Sequence, residues 1–332
     1  MRVQIYTGSM QLVARSGVGQ AILHQKKMLT AAGIDTTDRW EETGPIHLNT
    51  VFPDSVLTAL LARRMGRKVV YYGHSTMEDF KHSFTGSTLL APLFKRWITF
   101  CYNLGDVIIT PTEYSGSLLR SYGIKKPIYS LTNGIDTAFF APSAKARLRF
   151  RRKYGIPDKE KVVISVGHMI ERKGLPDFIE MARRMPEARF IWFGHTPLSA
   201  VPHAIRDAIA HAPANVSFPG FVSQSELRDA YCGADLFAFL SQEETEGIVV
   251  LEALACGVPT LLRNIPVYGG WLQDGSQVYM AENVEGFVQK GCAILDGSLP
   301  SLADAGRAAA ESRSMAAAGE KLREIYRKEH IT

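Results

Sequence analysis

The stretch from Ser241 to Leu262, SQEETEGIVVLEALACGVPTLL, concentrates acid chemistry in one place. Glu243, Glu244 and Glu246 stand just ahead of Gly247, and Glu252 stands alone inside the apolar run from Ile248 to Cys256. Carboxylates ahead of a helix gain about 0.3–1 kcal/mol from its dipole, so the first three fit a helix N-terminus. Glu252 does not. Its neighbours Val249, Val250, Leu251, Ala253, Leu254 and Ala255 leave no polar face, which predicts a helix buried all round. A buried carboxylate costs several kcal/mol unless something pairs with it, so Glu252 calls for a hydrogen-bonding partner.

Three further groups have the types and spacing for chemistry. In VGHMIERKG (166 to 174), Arg172 and Lys173 precede Gly174, where cations suit a diphosphate; solvent exposure is the alternative. In ARSGVGQAI (14 to 22), Gly17 and Gly19 sit where a strand gives way to a helix, so backbone N–H groups there can meet a phosphate. Ile22 occupies the third glycine position of that pattern, which argues against an NAD fingerprint and leaves a plain turn as the alternative. His74 directly follows a strand-like run, at the end where parallel sheets carry their ligands, unless it serves structure alone.

The elements that must position these residues alternate. Strand-like runs at 3–6, 46–51, 68–73, 106–111 and 128–133 are separated by helical patterns such as Val18 to Ala32. After a polar, basic segment from Ser143 to Tyr154 the rhythm restarts at 161–167, 189–194, 216–220, 235–240 and 258–262. At 332 residues the chain exceeds what one core supports, and the pattern predicts two doubly wound parallel α/β domains, 1–145 and 146–332, facing across a cleft. The C-terminal helix is expected to pack back on the first domain.

Composition narrows the class. Hydrophobic residues at 46% and charged residues at 21% fit a folded globular chain; the opening residues are too short an apolar stretch for a signal peptide, and no run approaches a membrane span. A cytoplasmic protein is expected. Cys101, Cys232, Cys256 and Cys292 form no CxxC pair, which fits reduced core thiols better than a disulfide or a zinc site. The net charge of +5 is uneven: residues 1–155 hold 21 Lys and Arg against 10 Asp and Glu, the remainder 17 against 23, or +11 and −6. A basic first half predicts contact with an anionic surface, membrane or nucleic acid, with a merely solvated basic face as the alternative.

Glu244 and Glu252, with seven residues between them and ALACGVP behind, resemble the E-x7-E signature of the retaining glycosyltransferases of family 4, which have the GT-B fold of two Rossmann-like domains. The SGVG loop, His74, PTEYS (111 to 115), NGID (133 to 136), Lys173 and PGFV (219 to 222, ending on Val222) match in order. The resemblance implies that Glu252 holds the ribose hydroxyls of a UDP-sugar and Glu244 the hydroxyls of the transferred hexose. The N–H groups of Gly247, Ile248 and Val249 then face sugar and diphosphate, and Lys173, with Gly17 and Gly19, neutralises the leaving diphosphate. His168 stands where many members have arginine, and Arg172 is a candidate for that role. His74 is implied as a hydrogen-bond partner of the donor sugar, in a reaction without a protein nucleophile. No D-x-D pair occurs, so no metal and no other cofactor is expected.

Residues 71–95, 172–194 and 243–255 further resemble bacterial synthases that extend monoglucosyl-diacylglycerol to an α-linked dihexosyl-diacylglycerol, a membrane glycolipid and lipoteichoic-acid anchor. That resemblance implies UDP-glucose or UDP-galactose as donor, a glycolipid acceptor, an anionic membrane partner and no nucleic acid, with the enzyme peripheral at the inner face of the cell membrane. Leu89, Leu90, Leu93, Phe94, Trp97 and Phe100 with Lys95 and Arg96 fit an interfacial helix, or a core helix with two exposed cations. The alternatives are a family 4 enzyme acting on diacylglycerol itself or on a soluble sugar, a nucleotide-sugar epimerase, and an inactive binding module.

Overall fold

The computed structural model describes residues 2–9, 17–84, 86–197 and 201–331. Met1, Met10 to Ser16, Thr85, Leu198 to Ala200 and Thr332 lie outside them, so of the SGVG loop Gly17, Val18 and Gly19 are described and Ser16 is not. The chain divides into two compact units: residues 1–80, 89–135 and 313–332, and residues 81–88 with 136–312. The division falls ten residues before the boundary that the sequence suggests.

The first unit contains β1 (Arg2–Ile5), α1 (Gly17–Ala31), β2 (Asp35–Thr37), β3 (Ile46–Leu48), α2 (Pro53–Arg64), β4 (Val69–Tyr72), α3 (Met77–Phe80), α4 (Ser87–Asn103), β5 (Val107–Thr110), α5 (Glu113–Ser121) and β6 (Ile128–Ser130). Its strands pair in parallel in the order β2-β1-β3-β4-β5-β6. The central strands β4 and β5 are buried throughout, as expected of a parallel sheet covered on both faces.

The second unit contains α6 (Ala144–Lys153), β7 (Lys161–Val166), α7 (Leu175–Arg184), β8 (Ala188–Phe193), α8 (His203–Ala210), β9 (Val216–Gly220), α9 (Gln224–Gly233), β10 (Leu236–Phe239), α10 (Ile248–Ala255), β11 (Thr260–Arg263), β12 (Tyr279–Ala281), α11 (Val284–Leu295) and α12 (Ala303–Glu311). The parallel order β12-β11-β10-β7-β8-β9 is that of a Rossmann sheet. The strand patterns at 216–220 and 235–240 fall on β9 and β10. The short edge strands β2 and β12 carry no run long enough to read as strands.

The last helix, α13 (Met315–Lys328), belongs to the first unit. Its Ala318, Leu322, Ile325 and Tyr326 join the core cluster of Val3, Ile5, Ile22, Leu29 and Val70. Gly319 lets it approach α1, because a Cβ there would stand 3.0 Å from the Met28 carbonyl oxygen.

The basic segment from Ser143 to Tyr154, counted above with the basic first half of the chain, lies wholly in the second unit. It forms α6, and its cations face acids of the same unit: Arg147 and Arg151 pair with Asp235, Arg149 with Asp229 and Lys153 with Glu226. Counted by unit, the first holds 19 Lys and Arg against 12 Asp and Glu and the second 19 against 21, so the charges are +7 and −2. The asymmetry keeps its sign and shrinks. All four cysteines are free; Cys292 is exposed rather than in a core.

Leu322 is fully buried between α13 and the sheet of the first unit. Leu322→Ala is expected to cost about 2–5 kcal/mol of unfolding free energy, through lost burial and the cavity left behind. Urea unfolding followed by circular dichroism measures this; a loss well under 1 kcal/mol would show that α13 does not anchor the core.

Candidate active site

In a Rossmann sheet the ligand crevice opens where the strand order reverses, beyond the carboxyl ends of the two central strands. In the second unit those are β7 and β10, and the loops after them hold most of the residues singled out above. The loop after β7 turns at Gly174, whose φ is +77° and where a Cβ would stand 2.2 Å from the Leu240 carbonyl oxygen. Only glycine fits, and its close approach brings Lys173 beside the loop after β10. Arg172 fastens the same two loops. Its Nη1 donates to the Glu243 carbonyl at 2.8 Å and its Nε to the Ser83 hydroxyl at 3.1 Å, while its own carbonyl accepts from Gln242 N–H at 2.8 Å. The guanidinium therefore clamps backbone. His168 is half-buried, with Nδ1 3.3 Å from the His195 carbonyl oxygen. Val222 is half-buried in the loop beyond β9.

Glu244 is buried and ion-paired with Lys173 at 2.5 Å. Burial pushes its carboxyl up, but Lys173 and Arg172 outweigh that and hold it below the usual carboxylate range. It is an anion at neutral pH, ready to accept hydrogen bonds. Tyr268, in the 3-10 turn Pro266–Tyr268, is fully buried nearby. Its hydroxyl has no hydrogen-bond partner among the described residues and lies 3.6 Å from where a Gly247 Cβ would be.

Gly247 begins α10 with φ of +87°, leaving the first N–H groups of the helix, those of Ile248 and Val249, without a side-chain cap. Such a helix end suits an anion. Glu252 lies one turn further on, 3% exposed, and accepts a 3.0 Å hydrogen bond from the Tyr231 hydroxyl of α9. Burial raises its carboxyl to about 8, with Tyr231 opposing the rise. One hydroxyl leaves most of the four acceptor sites of a carboxylate unused. Nothing in the sequence marks Tyr231 as that partner, since it stands 21 residues away on another helix.

His74 is buried at the carboxyl end of β4 in the first unit. Its Nε2 lies 3.0 Å from Asn49 Oδ1, and Asn49 Nδ2 donates to Gln25 Oε1 at 3.0 Å. The Tyr72 ring stacks on the imidazole with centroids 5.8 Å apart. Burial lowers the imidazole to about 4, so it is neutral at physiological pH. Gly17 is exposed at the start of α1 and Gly19 is buried within its first turn. Lys173, Glu244, Gly247 and Glu252 thus share one unit, with His74, Gly17 and Gly19 in the other. Among the described residues no cluster of three or more His, Cys, Asp or Glu side chains could hold a metal ion.

The first unit also presents apolar surface. On α4, Leu89 (86% exposed), Leu90, Leu93, Trp97 and Phe100 face outward, whereas Phe94 stacks on Phe80 with centroids 4.0 Å apart. Arg96 is exposed, but Lys95 lies over the Tyr122 ring at 4.6 Å. Beside α4, in the same core cluster, α2 exposes Leu57, Leu60, Leu61 and Met65 with Arg63 and Arg64. The helix α2 gives no interfacial signature in the sequence because its outward leucines alternate with small buried residues.

Two family profiles match the chain: "Glycosyl transferases group 1" over residues 146–311 and "Glycosyltransferase Family 4" over residues 45–139. The chain is 37% identical over 330 residues to the processive diacylglycerol alpha-glucosyltransferase of Acholeplasma laidlawii, covering 98% of each. It is 27% identical over 278 residues to the alpha-galactosylglucosyldiacylglycerol synthase of Streptococcus pneumoniae, covering 81% of this chain and 74% of that protein. Its backbone matches Anabaena HepE in complex with UDP-glucose with a TM-score of 0.80 at 16% identity, covering 99% of this chain and 100% of that one. That likeness establishes a shared GT-B fold.

A carboxyl raised to about 8 in the folded chain against 4.5 unfolded stabilises most below pH 4.5, and that contribution disappears as pH rises towards 8. Glu252→Gln removes this dependence. Relative to wild type, the variant's unfolding free energy is expected to climb by a few kcal/mol between about pH 5 and pH 9, at roughly 1.4 kcal/mol for each tenfold difference in proton affinity between folded and unfolded chain. Denaturant unfolding at both pH values measures it, and a gap that stays constant with pH would contradict the burial argument.

Proposed function

The chain is a glycosyltransferase of group 1, family 4, with the GT-B fold, and we propose that it transfers an α-hexosyl group from a UDP-hexose to monoglucosyl-diacylglycerol with retention of configuration. The observation that carries the donor half is Glu252, a buried carboxylate whose one hydrogen-bond partner among the described residues is the Tyr231 hydroxyl. A ribose diol supplies two further donors and stabilises the ionised form. Glu244 accepts from hydroxyls of the transferring sugar. The N–H groups at Gly247, Ile248 and Val249, where the helix start has no side-chain cap, take diphosphate oxygens, and Lys173, helped by Gly17 and Gly19, neutralises charge developing on the leaving group. His168 stands at the same strand end as a weaker contact, Val222 belongs to the donor-binding loops, and Arg172 holds the loops after β7 and β10 in register.

In this reading the leaving phosphate oxygen removes the acceptor proton on the face it departs from, and the protein positions and stabilises. His74, neutral near pH 7, hydrogen-bonds the donor sugar and is too weak a base to take the acceptor proton. No metal and no other cofactor takes part, since Lys173 and the start of α10 meet the diphosphate charge themselves.

The Acholeplasma laidlawii relative, matched over 98% of each chain, supports a diacylglycerol-based acceptor, and its diacylglycerol alpha-glucosyltransferase activity favours glucose as the sugar and diacylglycerol itself as a second, earlier acceptor. The outward leucines of α2 and α4 and the +7 charge of the first unit support docking on an anionic membrane from the cytoplasmic side, where the product anchors lipoteichoic acid or remains as a membrane glycolipid. Nucleic acid is not a partner in this reading, because exposed leucine rows suit lipid and not phosphate backbone.

Glu252→Ala is expected to weaken UDP binding by about 1.5–3 kcal/mol, roughly ten- to a hundredfold in Kd, whereas Glu244→Ala leaves UDP affinity near wild type and lowers kcat. Isothermal calorimetry with UDP and turnover of UDP-glucose on lipid extracts distinguish them; unchanged UDP affinity in Glu252→Ala would overturn the donor assignment. Activity in EDTA is expected to equal that with added magnesium or manganese.

The Leu89→Glu, Leu93→Glu double variant is expected to lose co-flotation with phosphatidylglycerol vesicles and activity on embedded glycolipid while keeping UDP affinity. Equal activity of the wild type on a short soluble glucoside would point instead to a soluble acceptor.

A further inference from the structure

The strand order of the first unit, β2-β1-β3, reverses between β1 and β3, so the residue leaving the carboxyl end of β3 stands at a ligand crevice. That residue is Asn49, which is 3% exposed and makes both of its side-chain contacts inside the protein. Asn49 Nδ2 donates to Gln25 Oε1 of α1, so its Oδ1 is the atom turned to His74 Nε2. Gln25 Nε2 and the Tyr72 hydroxyl are both buried and have no hydrogen-bond partner among the described residues, so the Asn49 contact is what orients the Gln25 amide.

We propose that Gln25 and Asn49 are positioning residues that hold His74 in the Nε2–H tautomer, so that Nδ1 is the nitrogen left to accept a hydrogen bond from a hydroxyl of the transferring sugar. The assignment rests on the reading in which His74 serves the donor. The imidazole makes one hydrogen bond, through Nε2, and its Nδ1 has no partner among the described residues. A neutral imidazole offers one donor and one acceptor, and the carboxamide oxygen consumes the donor. The stacked Tyr72 ring and the Asn49 contact together fix the ring plane. A ring free to exchange tautomers would present N–H at Nδ1 part of the time, and a sugar hydroxyl that donates its hydrogen there would then lose its acceptor.

The test uses the full chain labelled with ¹⁵N at histidine, with the His74 resonances assigned by their absence in His74→Gln. Wild type is expected to show a protonated Nε2 and an unprotonated Nδ1. Asn49→Leu is expected to average the two nitrogens and to lower kcat roughly ten- to a hundredfold, the usual scale for losing a residue that orients a functional histidine, with KM for the donor little changed. Asn49→Asp keeps the acceptor, since Gln25 can turn its amide to face a carboxylate, and is expected to restore the Nε2–H form. Should Asn49→Leu fail to fold, Gln25→Met removes the outer link alone and is expected to show the same averaging to a smaller degree.

A protonated Nδ1 in wild type, or variants that leave both tautomer and kcat unchanged while His74→Ala is inactive, would overturn the relay and leave the role of His74 standing. Wild-type turnover in His74→Ala would overturn that role, and the relay with it.

Discussion

The structure of the second unit is organised around one electrostatic constraint: Glu252 is buried inside an apolar helix, and among the described residues no cation pairs with it to hold its charge. Burial alone lifts its carboxyl to about 8, and a single phenol hydroxyl opposes the rise. Eight residues earlier the opposite arrangement holds. Glu244 is equally buried, yet Lys173 and Arg172 keep it ionised. Two carboxylates on either side of one helix start are thereby driven to different charge states, one poised to ionise when hydroxyls arrive and the other already an acceptor. Gly247 between them is the point at which the chain turns into the helix and exposes its first N–H groups.

Everything that places these groups follows from parallel-sheet topology. The reversal between β7 and β10 leaves a gap beyond their carboxyl ends, and the loops filling it carry Lys173 and Glu244. Gly174 brings the loops into contact because its missing Cβ admits the Leu240 carbonyl, and Arg172 fastens them through the Glu243 carbonyl. The first unit repeats the logic with other chemistry, its reversal between β1 and β3 placing Asn49 beside the His74 that follows β4. In both units a charged or polar side chain at the crevice is held by a second residue from a neighbouring strand end or helix.

Much of this is legible in the sequence because it depends on local pattern. Buried parallel strands read as short apolar runs, the spacing of Glu244 and Glu252 about one helix start is fixed by the chain, and His74 follows its strand directly. What the sequence hides is pairing across the fold. Tyr231 meets Glu252 from a helix 21 residues away, and Gln25 meets Asn49 from the first helix, with no periodicity to announce either. The basic run at 143–154 reads as part of an anionic-surface patch because its counterions, Asp229, Asp235 and Glu226, lie some 70 to 90 residues further on. The outward leucines of α2 are invisible for a related reason: exposure is decided by what packs on the other side of the helix.

The central claim, that a buried and largely protonated Glu252 ionises on receiving the donor's ribose, is tested most directly by counting protons. Calorimetric titration of UDP into the chain near pH 7, in buffers of differing ionisation enthalpy, gives the number of protons released per UDP bound, and Glu252→Gln supplies the reference for protons lost elsewhere. The account predicts that wild type releases close to one proton more than the variant, an excess that shrinks above about pH 8 as the free carboxyl ionises. Equal proton release by the two proteins would contradict it.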